Sequence, residues 1–246
     1  MSDLIFIFDM DNTLTNPVSL ISLDSARTII RLADKYKLYI CTGSDKEKLE
    51  KQISPKLCGI FQGIFTNSGA QYYRKNEHIY TLPKPNLLDY PKLKTYLGNI
   101  IETCDYKMRT GVHYETRPGT INFSIVGRNA DDACRKHFIE WHKTTNELYR
   151  VANYVNTMFA TDLISASVGG QTSIDIYFNG FKGKESCIDF LEGEIKTPHK
   201  YMFIGDKIMP NGNDYDVSLS ILHNNLGGCF RVNNPEECTE FLRRFL

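Results

Sequence analysis

Leu4-Ile5-Phe6-Ile7-Phe8 is apolar without interruption. A run of that length with no alternation suits a strand covered on both faces, as in a parallel sheet between layers of helix. Residues 23–36 change the period. Leu23, Ala26, Ile29, Ile30, Ala33 and Tyr36 fall on one side of a helix, which predicts that this side packs inward. Leu38-Tyr39-Ile40-Cys41 predicts a second buried strand, and residues 45–53 a short charged helix. The far end repeats the pattern, with a helix over 184–192, a strand at Tyr201-Met202-Phe203-Ile204 and a closing helix over 235–245. Strand and helix alternating at both ends predict one Rossmann-like, doubly wound α/β domain on a parallel sheet.

The middle of the chain follows another rule. Leu82-Pro83-Lys84-Pro85-Asn86 reads as a linker, because two prolines resist helix and stiffen the crossing. Beyond it, Ile121-Asn122-Phe123-Ser124-Ile125 and Thr172-Ser173-Ile174-Asp175-Ile176 alternate with period two. That predicts an antiparallel sheet with one buried and one open face. Residues 130–158 between them read as one long helical stretch. The expected organisation is a core of residues 1–85 and 183–246, interrupted by an α+β cap of residues 86–182.

Composition narrows the function classes. The 29 basic residues cancel the 29 acidic ones, so no global field draws nucleic acid or an anionic membrane. Seven cysteines without CxxC spacing read as free thiols in a reducing compartment. No stretch approaches the ~18 apolar residues of a membrane span, and no basic leader precedes the first apolar run. A cytoplasmic location is therefore expected.

The candidate chemistry sits where the strands end, which is where open α/β sheets place ligands. The first strand runs into Asp9-Met10-Asp11-Asn12-Thr13. Two carboxylates two residues apart in a turn can serve one centre, one attacking phosphorus and the other shuttling a proton. The second strand ends in Thr42-Gly43-Ser44, two hydroxyls and a bare amide suited to phosphate oxygens. Ser44 with Glu47 also fits a helix capping box, so Thr42 is preferred as the donor. The strand at 201–204 ends in Gly205-Asp206, followed by Asn213-Asp214. Carboxylates converging on Asp9 repel one another unless a hard cation sits among them, and Mg²⁺ is the usual one at a phosphate. In the middle segment Asn122, Ser124 and Arg128 share one face, as do Ser173 and Asp175. Guanidinium forks suit a phosphate, and an Asp–Ser pair suits sugar hydroxyls.

Asp9-x-Asp11-x-Thr13, the strand-end Thr/Ser, a lysine before a helix and Gly205-Asp206…Asn213-Asp214 are similar to the four motifs of the haloacid-dehalogenase superfamily. The likeness extends to the eukaryotic type of phosphomannomutase. Gly169-Gly170-Gln171-Thr172-Ser173-Ile174-Asp175 resembles that family's GGQxSxD segment. Gly205-Asp206-Lys207-Ile208-Met209-Pro210-Asn211-Gly212-Asn213-Asp214 resembles its GDKxMPxGND segment, and the order Arg117…Asn122…Ser124…Gly127-Arg128 follows its cap. The resemblance implies a phosphoryl group carried by Asp9, proton transfer by Asp11, and phosphate binding by Thr42, Gly43, Ser44 and Lys184. Lys184 is preferred to Lys182 because Lys184-x-x-Cys187-Ile188 fits the family spacing better. It implies Mg²⁺ at Asp9, Asp206 and Asp214, with Asp11 lending its backbone carbonyl. It assigns substrate binding to Arg117, Arg128, Arg135, Ser173 and Asp175, with Asn122 beside them. The substrate would be mannose 1-phosphate or 6-phosphate, with a hexose bisphosphate as activator. A homodimer joined through the cap belongs to the same expectations.

Three departures qualify the likeness. Val18 stands where the family has an arginine, and Asn12 where it has a glycine. Ser218, Ser220 and His223 occupy the loop where the family holds a further cation, so no second cation site is expected. Before Arg117, only the glycine and glutamate of Thr110–Glu115 are kept. A sugar-phosphate phosphatase using the same core residues is the competing function. A non-catalytic phosphosugar-binding protein is disfavoured, because Asp9, Asp11, Lys184 and Asp206 are all present.

Overall fold

The computed structural model describes residues 3–210 and 212–246; Asn211, within the second long motif, lies outside the described residues. The chain divides into two compact units, one made of the chain up to Thr81 together with Gly183–Leu246, the other of Leu82–Lys182. The first crossing thus falls at Thr81, ahead of the two prolines.

The chain opens with β1 (Asp3–Phe8), α1 (Leu23–Ala33), β2 (Lys37–Cys41), α2 (Lys46–Gln52), the single turn α3 (Pro55–Cys58), β3 (Gly63–Thr66), β4 (Gln71–Arg74) and β5 (Glu77–Thr81). The second unit carries α4 (Pro91–Thr103), β6 (Tyr114–Arg117), β7 (Thr120–Phe123), α5 (Asp132–Thr145), α6 (Glu147–Met158), β8 (Ser165–Val168) and β9 (Ile174–Tyr177). The return adds α7 (Ser186–Glu194), β10 (His199–Gly205), α8 (Tyr215–His223), β11 (Gly227–Arg231) and α9 (Pro235–Leu242).

In the first unit the strands form one sheet in the order β11-β10-β1-β2-β3-β4-β5. β1 is central, parallel to β10 with Phe8 opposite Ile204 and to β2 with Phe8 opposite Ile40. Its uninterrupted apolarity is explained by burial on both sides. Phe6 and Phe8 pack with Ile29 and Leu32 of α1 and Leu242 of α9, while Ile5 and Ile7 pack with Ile188 of α7 and Val217 of α8. The sheet is mixed, because β3, β4 and β5 form an antiparallel meander. The β4–β5 hairpin turns through Lys75 (φ 48°) and Asn76 (φ 70°), the paired positive φ of a type I′ turn.

Two helices differ from the pattern-based expectation. α1 buries Ser25, Thr28, Ile29 and Leu32, whereas Leu23 is 78% exposed and Ile30 half exposed. Its inward face includes hydroxyls because Ser25 Oγ and Thr239 Oγ1 of α9 share a 2.9 Å hydrogen bond across the α1–α9 contact. The stretch 130–158 is two helices broken at Asn146, which adopts φ 54°. Asparagine tolerates this left-handed conformation, and the preceding Thr144 and Thr145 hydroxyls donate back to the Trp141 carbonyl.

The second unit holds an antiparallel sheet in the order β6-β7-β9-β8, with Asn122 opposite Asp175 and Phe123 opposite Ile174. Ile121, Phe123, Ile174 and Ile176 pack against α4, α5 and α6 through Leu97, Phe138 and Val151. The polar face expected to be open is open in part, with Glu115, Arg117, Arg128 and Asp175 partly exposed. Asn122, Ser124 and Ser173 are buried, with Asn122 donating to Ser173 and the two serine hydroxyls donating to the Thr172 and Gly169 carbonyls.

Val18 is a local outlier. It sits in a turn closed by the Ser19 N–H donating to the Asn16 carbonyl (3.0 Å), with φ 62° and 83% exposure. A β-branched residue at that position is strained with no packing to offset it. Val18→Asn is expected to stabilise the protein by about 1 kcal/mol, a rise of about 2–4 °C in Tm at this chain length. A thermal melt in which Tm does not rise would show that the turn carries no such strain.

Candidate active site

The carboxyl ends of β1, β2 and β10 lie side by side in the sheet, so the three motifs that follow them meet. Asp9 directly follows β1, its N–H donating to the Ile204 carbonyl (2.9 Å). Lys184 Nζ donates to Asp9 Oδ1 and to Asp214 Oδ1, both at 2.6 Å, and all three residues are buried. Asp9, Asp206 and Asp214 each offer a carboxylate oxygen within 4.8 Å of the others. Burial pushes the Asp9 carboxyl up to about 7, with Lys184 opposing the rise and Asp214 adding to it. Burial alone would depress Lys184, but Asp214 and Asp9 outweigh it and hold the ammonium well above its ordinary range. Asp206 is also raised, by burial first and by Asp214. Three carboxylates against one ammonium leave two negative charges on hard oxygen donors, which fits a divalent cation.

The loop from Gly205 to Asp214 is shaped to deliver that cluster. Lys207 and Asp214 exchange bonds, the Lys207 N–H donating to Asp214 Oδ2 and the Asp214 N–H to the Lys207 carbonyl, each at 3.2 Å. A side chain at Gly212 would overlap the Lys207 carbonyl, and a Cβ at Gly205 would stand 2.5 Å from Asp214 Oδ2. Asn12 at the family's glycine position is compatible with the fold. It takes φ 60°, which asparagine tolerates, and its Nδ2 donates to Asp206 Oδ2 (3.1 Å).

Asp11 stands apart from the three clustered carboxylates. Its Oδ2 accepts from Ser44 Oγ (3.1 Å) and Lys48 Nζ (2.8 Å), and its Oδ1 from Gln52 Nε2 (3.0 Å). Burial raises its pKa, but these donors outweigh it and hold the carboxyl below its usual range. Ser44 does not cap α2; Asp45 does, accepting from the Lys48 N–H at 2.8 Å. The capping-box reading fails because the helix starts one residue later, which leaves Ser44 to Asp11. Thr42 is buried, its Oγ1 accepting from the Ser44 N–H (3.1 Å), with Gly43 between them. Lys48 and Gln52 were missed by motif reading. Their spacing of four from Ser44 was the available signal.

In the second unit most of the expected binding residues form one network. Asn122 Nδ2 donates to Ser173 Oγ (3.0 Å) and Asp175 Oδ1 (2.8 Å), and Arg128 Nη1 donates to Asn122 Oδ1 (2.7 Å). Glu115 organises the arginines, accepting two 2.9 Å bonds from Arg117 and pairing with Arg128 as well. Burial raises the Asp175 carboxyl, with Asn122 and the two arginines opposing. Arg135 instead donates to the Ala130 carbonyl (2.9 Å) and the Arg128 carbonyl (3.3 Å), bracing the turn that carries Arg128.

Residues 25–246 match the family model described as eukaryotic phosphomannomutase. The chain is 30% identical over 223 residues to a phosphomannomutase from Galdieria sulphuraria, covering 88% of this chain and 85% of that one. It is also 30% identical over 215 residues to one from Saccharomyces cerevisiae, at 86% and 83% coverage. Its fold is similar to that of a haloacid dehalogenase-like hydrolase from Bacteroides thetaiotaomicron, with a TM-score of 0.60 at 14% identity over 100% of both chains. The match to the family model begins after the Asp9–Thr13 turn, whereas the likeness to a phosphomannomutase 2 from Dictyostelium discoideum, 26% identical, extends over 98% of this chain and 96% of that one. Among the described residues no helix is long and apolar enough to cross a membrane.

Lys184 carries the charge balance of this site. Lys184→Met keeps the volume and leaves two buried carboxylates uncompensated, which is expected to destabilise the protein by about 3–5 kcal/mol. Urea unfolding should recover part of that loss when a divalent cation is added. A midpoint unchanged from wild type would show that the ammonium is not needed to hold the carboxylates.

Proposed function

Because the chain belongs to the eukaryotic phosphomannomutase family, we propose that this phosphomannomutase-like enzyme interconverts mannose 1-phosphate and mannose 6-phosphate through an aspartyl-phosphate on Asp9. The observation that carries the mechanism is the buried Lys184 ammonium shared by Asp9 and Asp214, with Asp206 beside them. Asp9 Oδ2 attacks phosphorus while Oδ1 stays on Lys184. As the bond from phosphorus to the sugar oxygen breaks, Asp11 gives that oxygen a proton. With a hexose bisphosphate as first donor, the free hydroxyl of a hexose monophosphate then attacks the aspartyl-phosphate, passes its proton to Asp11 and frees Asp9, and the bisphosphate so formed donates its other phosphate in the next cycle. Lys184 offsets the charge on the transferring oxygens without having to move into place.

Mg²⁺ fits the acidic cluster, with Asp9, Asp206 and Asp214 to hold it beside the Asp11 backbone carbonyl; bound there, it would neutralise charge on the phosphoryl group. Both Asp214 oxygens already accept bonds, so Asp9 and Asp206 are its freest donors. The Thr42 hydroxyl and Gly43 amide serve the phosphate better than the Ser44 hydroxyl, which is committed to Asp11. Arg117 and Arg128, oriented by Glu115, suit a phosphate that is not in transfer. Asp175, Asn122 and Ser173 suit sugar hydroxyls, and Arg135 acts through the backbone.

Hydrolysis is the second reading, favoured by Val18. That residue is exposed and apolar where the family has an arginine, one anion contact fewer for holding the sugar against water. The deciding assay supplies Mg²⁺, mannose 1-phosphate and a hexose bisphosphate activator, and follows mannose 6-phosphate and free phosphate together. Mannose 6-phosphate in excess is the expected result, and free phosphate alone would overturn the mutase reading.

Asp9→Asn is expected to leave the circular dichroism spectrum unchanged and to abolish both products. Substantial residual turnover would remove Asp9 as the phosphoryl carrier. Asp175→Ala leaves bound hydroxyls without a partner, a cost of about 1–3 kcal/mol. Discrimination between mannose and glucose phosphates should therefore fall about tenfold or more. Arg128→Ala should weaken both sugars alike, and a discrimination ratio unmoved by Asp175→Ala would refute this reading of the network.

A further inference from the structure

Two side chains outside every motif hold Asp11 in one orientation. Lys48 and Gln52 are four apart on α2, so its register presents them on one face, beside Ser44 from the loop that precedes the helix. Lys48 Nζ reaches Oδ2 at 2.8 Å and Gln52 Nε2 reaches Oδ1 at 3.0 Å, so each oxygen of the carboxylate has its own α2 donor. An exposed lysine–aspartate pair by itself would be an unremarkable surface contact. Gln52 is not on the surface: it is buried, and its Oε1 has no partner. The Gln52 amide nitrogen makes its shorter bond to Asp11 and a longer one, 3.4 Å, to the Asn16 carbonyl, and a buried amide that leaves its own oxygen unsatisfied to hold these two acceptors favours placement over packing.

We propose that Lys48 and Gln52 are positioning residues for the proton transfer by Asp11, fixing its carboxylate toward the leaving sugar oxygen and away from the Asp9–Asp206–Asp214 cluster. The inference rests on the reading of Asp11 as the proton carrier. No bond to either residue forms or breaks. The proton moves between Asp11 and the sugar oxygen as the bond from phosphorus to that oxygen breaks, and the two α2 side chains only set where Asp11 stands.

The test uses two phosphoryl donors. Mannose 1-phosphate expels an alkoxide that must be protonated, whereas para-nitrophenyl phosphate expels a phenolate that leaves without a proton. Lys48→Met and Gln52→Met should each lower kcat with mannose 1-phosphate by about ten- to hundredfold, the scale of a misplaced catalytic group. KM should hold, and the first-turnover rate of nitrophenolate release from para-nitrophenyl phosphate should hold, because that step needs no proton from Asp11 and precedes the dephosphorylation in which Asp11 acts as base. Lys48→Arg should recover most of the loss. Lys48→Met added to Asp11→Asn should cost nothing further, because its effect runs through Asp11. Equal losses with both donors, a loss carried by KM, or a full additional loss in the double variant would overturn the proposal. If Asp11→Asn separates the two donors and Lys48→Met does not, only the positioning role falls. If Asp11→Asn lowers the first-turnover release of both leaving groups alike, Asp11 is not the proton carrier, and the proposal falls with that reading. Lys48 is partly exposed, so its variants keep the test available should Gln52→Met fail to fold.

Discussion

A buried ammonium between two buried carboxylates sets the terms for the rest of this core. Lys184 arrives from just before α7, Asp9 from the end of β1 and Asp214 from the start of α8, so one ion triad ties three distant parts of the sequence together. A charge in such a place is costly unless paired, and an unpaired one costs more than the pair contributes. The surrounding backbone is shaped accordingly. Gly205 has no side chain because Asp214 passes where a Cβ would be, and the Lys207–Asp214 bonds fold the loop back on itself. Asp206 then overfills the balance with negative charge, which is the condition a divalent cation relieves.

The second unit solves a similar problem without an excess of charge. Two guanidiniums, Arg117 and Arg128, face one glutamate, and Asn122 links Arg128 to Asp175. Buried polar groups are tolerable only when their bonds are complete, and a complete network is also stiff. The polar face of the sheet is partly buried for this reason. Its polar residues are held in fixed directions by each other, which is the state in which a binding surface loses least entropy on meeting a ligand.

Departures from the family pattern fall into two kinds. Asn12 for glycine keeps the backbone requirement, since asparagine accepts φ 60°, and adds a bond to Asp206. Val18 for arginine keeps neither charge nor ease, because a β-branched residue occupies a left-handed turn with its side chain in solvent. The first substitution is compensated within the site. For the second, the structure shows no compensating contact.

The sequence alone determined the elements whose burial is uniform. Residues 4–8 of β1 and 201–204 of β10 are apolar because both faces of the sheet are covered there, and the strand-end carboxylates followed from where those strands stop. Long motifs identified the family because they carry many residues in fixed order. What periodicity could not decide was where polar groups are buried. The inward face of α1 turns on a Ser25–Thr239 hydrogen bond between helices 214 residues apart, invisible to an apolar count. The break at Asn146 is one residue's conformation. Lys48 and Gln52 carried no motif signal until folding brought each to Asp11, and Glu115, kept from the family pattern, showed its partners Arg117 and Arg128 only in the fold. Local sequence sets which side chains are apolar and which backbone angles are easy. Only the tertiary structure sets which polar atoms lose water together, and that loss is what turns a charged side chain into part of a site.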